Sequence, residues 1–226
     1  MSLEELARQA GDELEGAHPR DVLAWAVDTF GDRFCITSSM RDSVLAHLVA
    51  SVRPGVDLVF LDTGYHFFPT IETRDRVAAT VDVNVVTVEP GQTVAEQDTE
   101  YGMSLYARDP DLCCALRKVA PLNRALANYD AWASGIRRDE GVTRLATRVV
   151  DWDSARGKVK VSPLACWTLA DVDAYIAEHD IIVNPLVAQG FPSIGCAPCT
   201  RWVAPGEDAR SGRWTGREKT ECGIHR

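Results

Sequence analysis

The six residues Val56-Asp57-Leu58-Val59-Phe60-Leu61 constrain the fold most. The run is short, continuous and mostly apolar, so it reads as a strand covered on both faces. Arg33-Phe34-Cys35-Ile36-Thr37 and Asn84 to Val88 read the same way. Helical patterns separate these runs. Ser43 to Val52 puts Val44, Leu45, Leu48 and Val49 on one face, and a helix from about Pro69 to Ala79 carries its proline in the first turn. Leu112 to Ala127 and Leu169 to Glu178 read as further helices. Doubly covered strands alternating with helices predict an α/β fold, a mostly parallel sheet flanked by helices with right-handed crossovers. Ligands of such sheets sit beyond the carboxyl ends of the strands. Three polar turns fall there: Thr37-Ser38-Ser39, Asp62-Thr63-Gly64, and the loop opening Gly135-Ile136-Arg137-Arg138. Residues 1–30 form an N-terminal helical segment and 31–183 the α/β core. Residues 184–226, rich in Pro and Gly, form an irregular segment ending in a mobile tail.

The formal net charge of −9 argues against a nucleic-acid partner, which needs a basic surface. The positive charge is nevertheless clustered, with Arg137, Arg138, Arg144 and Arg148 in one segment and Arg201, Arg210, Arg213 and Arg217 in another. Local basic clusters in an acidic chain suit a small anionic ligand; each cluster alone also reads as a solvated face. No apolar run approaches a membrane span. The acidic start Met1-Ser2-Leu3-Glu4-Glu5-Leu6 lacks the features of a secretory signal, which places the chain in the cytoplasm.

Seven cysteines in such a chain point to metal or catalysis before disulfides. Cys113-Cys114 and Cys196-Ala197-Pro198-Cys199 offer four thiolates in two distant pairs that folding must bring together. Zinc is one candidate. The adjacent pair favours a 4Fe–4S cluster, because neighbouring side chains on a helix diverge and each can take its own iron. Buried free thiols are the third reading; they suit Cys35 and Cys166 better than the paired cysteines. Cys222 stands apart, near the end of the chain in Glu221-Cys222-Gly223-Ile224-His225-Arg226. A thiol on a mobile tail can enter a site, react, and swing out to a partner. No second cysteine lies nearby, so resolving an adduct requires an external thiol. His225 can lower the Cys222 pKa, shuttle a proton, or be merely solvated.

Taken together, TSSMRDSVL (37–45), FLDTGYHF (60–67), CCALRK (113–118), GIRR (135–138), SPLACWT (162–168), GCAPCTR (195–201), RSGRW (210–214) and ECGIH (221–225) resemble the phosphoadenylyl- and adenylyl-sulfate reductase family of assimilatory sulfate reduction and cysteine biosynthesis, nearest its actinobacterial iron–sulfur members. The resemblance implies an adenine-nucleotide α-hydrolase-like fold and a thioredoxin-dependent reduction of adenosine 5′-phosphosulfate (APS) to sulfite and AMP. Its 3′-phosphorylated counterpart (PAPS) is the alternative substrate. Members with all four cluster cysteines use APS, which implies a 4Fe–4S cofactor on Cys113, Cys114, Cys196 and Cys199. It implies Cys222 as nucleophile, with His225 beside it in the catalytic tail. Lys118, Arg137, Arg144, Arg210 and Arg213 become the cations for the substrate anion. Ser38, Ser39 and the stretch Leu61, Asp62, Thr63 and Gly64 become the nucleotide contacts. The chain carries no thioredoxin-like domain, so thioredoxin or a similar dithiol is expected in trans; a homo-oligomer stays open.

Two readings compete from outside the family. ATP pyrophosphatases use Ser-Gly-Gly-x-Asp-Ser where this chain has Ser38-Ser39-Met40-Arg41-Asp42-Ser43; the missing glycines disfavour close amide contact with pyrophosphate. A nucleotide-binding iron–sulfur regulator leaves the terminal thiol unexplained.

Overall fold

The computed structural model describes residues 1–225; Arg226, the last residue of the expected tail, lies outside them. Two helices open the chain, α1 (Leu3–Glu13) and α2 (Pro19–Phe30). Helix α1 begins on a capping box. The Ser2 hydroxyl accepts from the Glu5 amide at 3.1 Å and the Glu5 carboxylate accepts from the Ser2 amide at 2.8 Å, satisfying donors that a helix start leaves open.

The alternating core follows as β1 (Phe34–Thr37), α3 (Val44–Val52), β2 (Val56–Leu61), α4 (Phe68–Thr80) and β3 (Val83–Val88). Then come α5 (Val94–Tyr101), α6 (Leu105–Arg108), α7 (Pro110–Cys114), α8 (Ala120–Leu126), β4 (Ala131–Ser134), β5 (Val150–Asp153), β6 (Lys158–Val161) and α9 (Leu169–His179). The six strands lie in the order β3-β2-β1-β4-β6-β5, with only the β5–β6 pair antiparallel. The chain runs outward from β1 to β3 and then returns to lay β4 on the other side of β1. That reversal opens a crevice at the carboxyl ends of β1 and β4, where Thr37 and Ser134 are paired in register.

Strand alternation divides the core between two faces. Ile36, Leu58, Phe60, Ala131, Ala133, Val159 and Val161 pack with apolar residues of α1, α2, α3 and α9. Cys35, Val59 and Trp132 point the other way, against Leu122 and Leu126 of α8. The C-terminal Ile224 packs on that second cluster. Cutting fully buried Leu122 to Ala should cost roughly 2–5 kcal/mol.

The stretch expected as one helix over 112–127 differs from that reading. Between α7 and α8 lies a π-helical turn, Ala115–Val119, in which the Ala120 amide reaches back five residues to the Ala115 carbonyl. It carries Arg117 and Lys118, both buried. Residues 184–225 hold no strand or α-helix, only one 3-10 turn at Ala197–Cys199, as their composition suggested. This irregular segment is tied to the core. Buried Asn184 donates to the Met40 carbonyl at 3.0 Å and the Thr70 hydroxyl at 3.1 Å, fixing the 38–43 loop. No helix among the described residues is long and apolar enough to cross a membrane.

Candidate active site

A cavity of about 230 Å³ opens at the switch point. Its floor is the ends of β1, β2 and β4, represented by Thr37, Leu61 and Ser134. Ser38 and Ser39 line it, and the Ser38 hydroxyl accepts from the Met40 amide at 3.1 Å, bending the loop across the mouth. The Ser134 hydroxyl is buried among these walls and finds no partner among the described residues.

The five cations expected from the sequence, Lys118, Arg137, Arg144, Arg210 and Arg213, all face the cavity, and Arg41 of the 38–43 loop joins them. The five come from the π turn, from the loop after β4, and from the irregular C-terminal segment, so only the folded chain assembles them. Their partners differ. Arg137 donates to Asp139 at 2.9 Å, and its backbone amide donates to Glu140 at 3.0 Å. Arg144 holds Glu140 on one side and Glu221 on the other, the latter through Nε at 2.9 Å and a second nitrogen at 3.1 Å. Arg210 reaches the same Glu221 carboxylate at 3.2 Å and donates to the Thr220 carbonyl at 2.8 Å. Burial alone would raise the Glu221 carboxyl; the Arg144 hydrogen bonds, the Arg144 and Arg210 charges, and the Thr143 hydroxyl outweigh it and hold the group below the usual carboxylate range. Lys118 and Arg213 have no carboxylate partner among the described residues. Arg213 lies over the Trp214 ring at 4.6 Å, and its buried Nε has no hydrogen-bond partner among the described residues. Gly195 makes room for it: a Cβ there would fall 2.1 Å from an Arg213 guanidinium nitrogen.

The tail closes the cavity. Cys222, Ile224 and His225 all line it. Trp132 lies parallel to the His225 ring, 6.1 Å away with a 12° interplanar angle. Burial first, then the charges of Lys160, Arg144, Arg210 and Arg156, push the His225 pKa well below its ordinary value. The ring is therefore neutral at neutral pH. An imidazolium is disfavoured there. Glu221 and Ile224 dock the tail on the core, the closed one of the two positions its chemistry calls for.

A second, smaller cavity adjoins the first. Cys113, Cys114, Cys196 and Cys199 line it together, with Tyr65, Tyr106, Arg117 and Lys118. The distant pairs thus meet. Burial, then the charges of Cys114, Cys196 and Cys199, push the Cys113 thiol up to about 12. Burial also raises Cys114, to about 11. Cys196 goes the opposite way. Its burial is outweighed by Lys118, by the Thr63 hydroxyl at 3.3 Å and by Arg213, so its pKa falls. Among the described residues no three His, Cys, Asp or Glu side chains form a group that could hold a single metal ion. Lys118 lines both cavities, and burial, which would lower its pKa, is outweighed by Cys196 and Cys222.

Most residues singled out in the sequence converge here: Ser38, Ser39, Leu61 and Thr63, the five cations, Cys222 and His225. Asp62 and Gly64 do not line the cavity. The Asp62 carboxylate caps its own turn, accepting from the Gly64 amide at 2.9 Å, and lies 3.8 Å from Arg74. Gly64 takes φ +72°, and a Cβ there would sit 3.0 Å from Arg117. Both shape the turn that presents Thr63 to Cys196. Glu221, Ser134 and Arg41 are cavity residues the sequence reading did not select. For Glu221 the signal was present, an acid directly before the terminal cysteine.

A mostly parallel sheet with a cation-lined cavity at its switch point defines a nucleotide-handling α/β protein. A family model described as the phosphoadenosine phosphosulfate reductase domain matches residues 34–202, and the chain belongs to that family. It is 63% identical over 223 residues to the adenosine 5′-phosphosulfate reductase of Streptomyces coelicolor, covering 99% of this chain and 94% of that protein. With the enzyme of the same name from Mycolicibacterium smegmatis the identity is 54%, at the same coverage. Among solved structures, phosphoadenylyl-sulfate reductase from Candida auris superposes with a TM-score of 0.75 at 30% identity, covering 89% of this chain and 99% of that one. The FMN adenylyltransferase of Candida glabrata, TM-score 0.58 at 13% identity, shares the fold alone.

Proposed function

We propose that the chain reduces adenosine 5′-phosphosulfate to sulfite and AMP, with Cys222 as nucleophile and an external dithiol of the thioredoxin type as reductant. The observation that carries this reading is the placement of Cys222 in one cavity with Lys118 and Arg213, two cations that have no carboxylate partner among the described residues. The relatives named for this activity support the same substrate. A thiolate attacking a sulfonyl centre brings anion to anion, so the surrounding cations lower the barrier by stabilising the charge that builds on the sulfonate and phosphate oxygens. The Cys222 sulfur bonds to the sulfonyl sulfur, the sulfur–oxygen bond to phosphate breaks, and AMP leaves with the electron pair. A thiolate of the dithiol then attacks the Cys222 sulfur. Sulfite leaves with the electron pair, and the second thiol closes a disulfide on the reductant while Cys222 regains its thiol.

Cys113, Cys114, Cys196 and Cys199 are the residues that would hold a 4Fe–4S cluster. Four soft donors in one cavity fit it, and two of them are chain neighbours that can each take a separate iron. Bound there, the cluster would supply a fixed local charge and pin two distant loops. Lys118, which lines both cavities, couples that charge to the substrate site electrostatically. Tyr65 and Tyr106 shield the thiols.

The test is anaerobic assay of sulfite release with APS and with its 3′-phosphorylated form, side by side. A higher kcat/KM for APS is expected. A clear preference for the 3′-phosphorylated form, or no sulfite from either, would refute the reading.

A further inference from the structure

Glu221 sits directly before the nucleophile, is only 8% exposed, and faces the cavity. Its carboxylate takes three nitrogens from two arginines, Arg144 at 2.9 and 3.1 Å and Arg210 at 3.2 Å, and a hydrogen bond from the Thr143 hydroxyl at 3.2 Å. Arg210 binds the tail a second time, through the Thr220 carbonyl. Glu140 takes the remaining face of Arg144. Two arginines and two carboxylates thus cancel one another at the cavity wall. Guanidinium groups held in this way present to a carboxylate the same fork they would present to a phosphate or sulfate.

We propose that Glu221 is a positioning residue for Cys222: it latches the tail onto Arg144 and Arg210 in the absence of ligand, and the anion of a bound nucleotide takes these guanidinium groups from it. The proposal rests on the nucleotide reading of the cavity given above. Two like charges compete for one set of donors, so binding the ligand and holding the latch are opposed. Displacement frees the residue next to Cys222, while Ile224, packed against Leu122 and Leu126, keeps the end of the tail over the cavity. The thiol gains freedom to reach the sulfonyl centre and the solvent at the moment a substrate is present.

The experiment uses the full chain, purified anaerobically, with AMP as the probe. AMP affinity is measured by calorimetry, and Cys222 alkylation by iodoacetamide is followed on the C-terminal peptide by mass. AMP should speed alkylation of Cys222 severalfold in the native protein. Glu221→Gln should bind AMP about tenfold tighter, the change expected when a charge-assisted competitor becomes a neutral one, and should alkylate fast without AMP. Structural damage alone would weaken AMP binding rather than tighten it. Slower alkylation in the presence of AMP, or an unchanged or weaker AMP affinity in Glu221→Gln, would overturn the latch. Failure of both proteins to bind AMP would overturn the nucleotide reading and the latch with it. If Glu221→Gln does not fold, the alkylation result on native protein decides alone.

Discussion

Replacing Gly195 by Ala tests the cation site without touching a charge. The new methyl would lie 2.1 Å from one Arg213 guanidinium nitrogen, 2.5 Å from the guanidinium carbon and 3.0 Å from the other nitrogen. These atoms end a flexible side chain, so Arg213 moves and the backbone stays. The fold loses little. The contact over Trp214 is worth about 0.5–2 kcal/mol, and the hydrogen bond to Ser193 at 3.4 Å is long. A loss of about 1 kcal/mol lowers the melting temperature by roughly 2–4 °C in a chain of this size. Catalysis loses more. An arginine contact to the sulfonate or phosphate is a charge-assisted hydrogen bond worth about 1.5–3 kcal/mol, which converts to a fall of roughly 10- to 100-fold in kcat/KM. The assay is sulfite release from APS with a dithiol reductant, paired with a thermal melt. Gly91→Ala serves as control, because a Cβ there meets nothing within 4 Å. If Gly195→Ala keeps kcat/KM within about twofold of native while melting normally, Arg213 does not act from the position described and the reasoning fails.

Incubation with APS and no reductant should add one sulfonate to the C-terminal peptide and release AMP, and Cys222→Ser should abolish both while retaining nucleotide binding; an adduct on another cysteine would refute this. Anaerobically purified protein should hold about four irons, and Ser at 113, 114, 196 or 199 should lose iron and activity together, whereas Cys35→Ser and Cys166→Ser should keep the iron; stoichiometric zinc instead would sink the cluster. Acid should release the tail: the pKa values of His225 and Glu221 are both lowered in the docked state, so their support is complete above the free-tail values and is lost as pH falls through the docked ones. Hydrogen exchange of residues 219–225, corrected for intrinsic rate, should therefore keep its protection above about pH 6.5 and lose it as pH falls below that value, with the Glu221 share going only below about pH 4.5; unchanged protection down to about pH 3 would contradict the sign.

The strands covered on both faces were the most legible part of the chain. For β2 the apolar run and the strand coincide, and β1, β3, α3, α4 and α9 shift by a residue or so at their ends. By contrast β4, Ala-Trp-Ala-Ser, is four residues long and half alanine, a residue that favours helices, and only burial between β1 and β6 makes it a strand. The Lys158–Val161 strand alternates in the expected way but is too short to stand out. In the site, chemistry-bearing residue types revealed the thiols and most of the cations. Asp62 was ambiguous because an aspartate two residues before a glycine amide suits a turn as well as a ligand, and it accepts from the Gly64 amide. The docking of the tail was hidden for another reason. Ile224 is one apolar residue in a polar stretch, and its binding surface comes from α8 and from β1, β2 and β4, far off in sequence.

The π turn at Ala115–Val119 fixes an angular phase. It spends one residue more than an α-helix on a single hydrogen-bonded turn, so the face that carries Cys113 and Cys114 is offset from the face that carries Leu122 and Leu126. Deleting Ala115 would restore regular winding and turn everything on the N-terminal side by about 100° relative to α8. The leucines would stay on the sheet while the thiol pair swept past the 196–199 loop. Spacing between the two cysteine pairs is thus measured in rotation as well as in distance, and the same chain lacking one residue here would keep its fold and lose its thiol cavity.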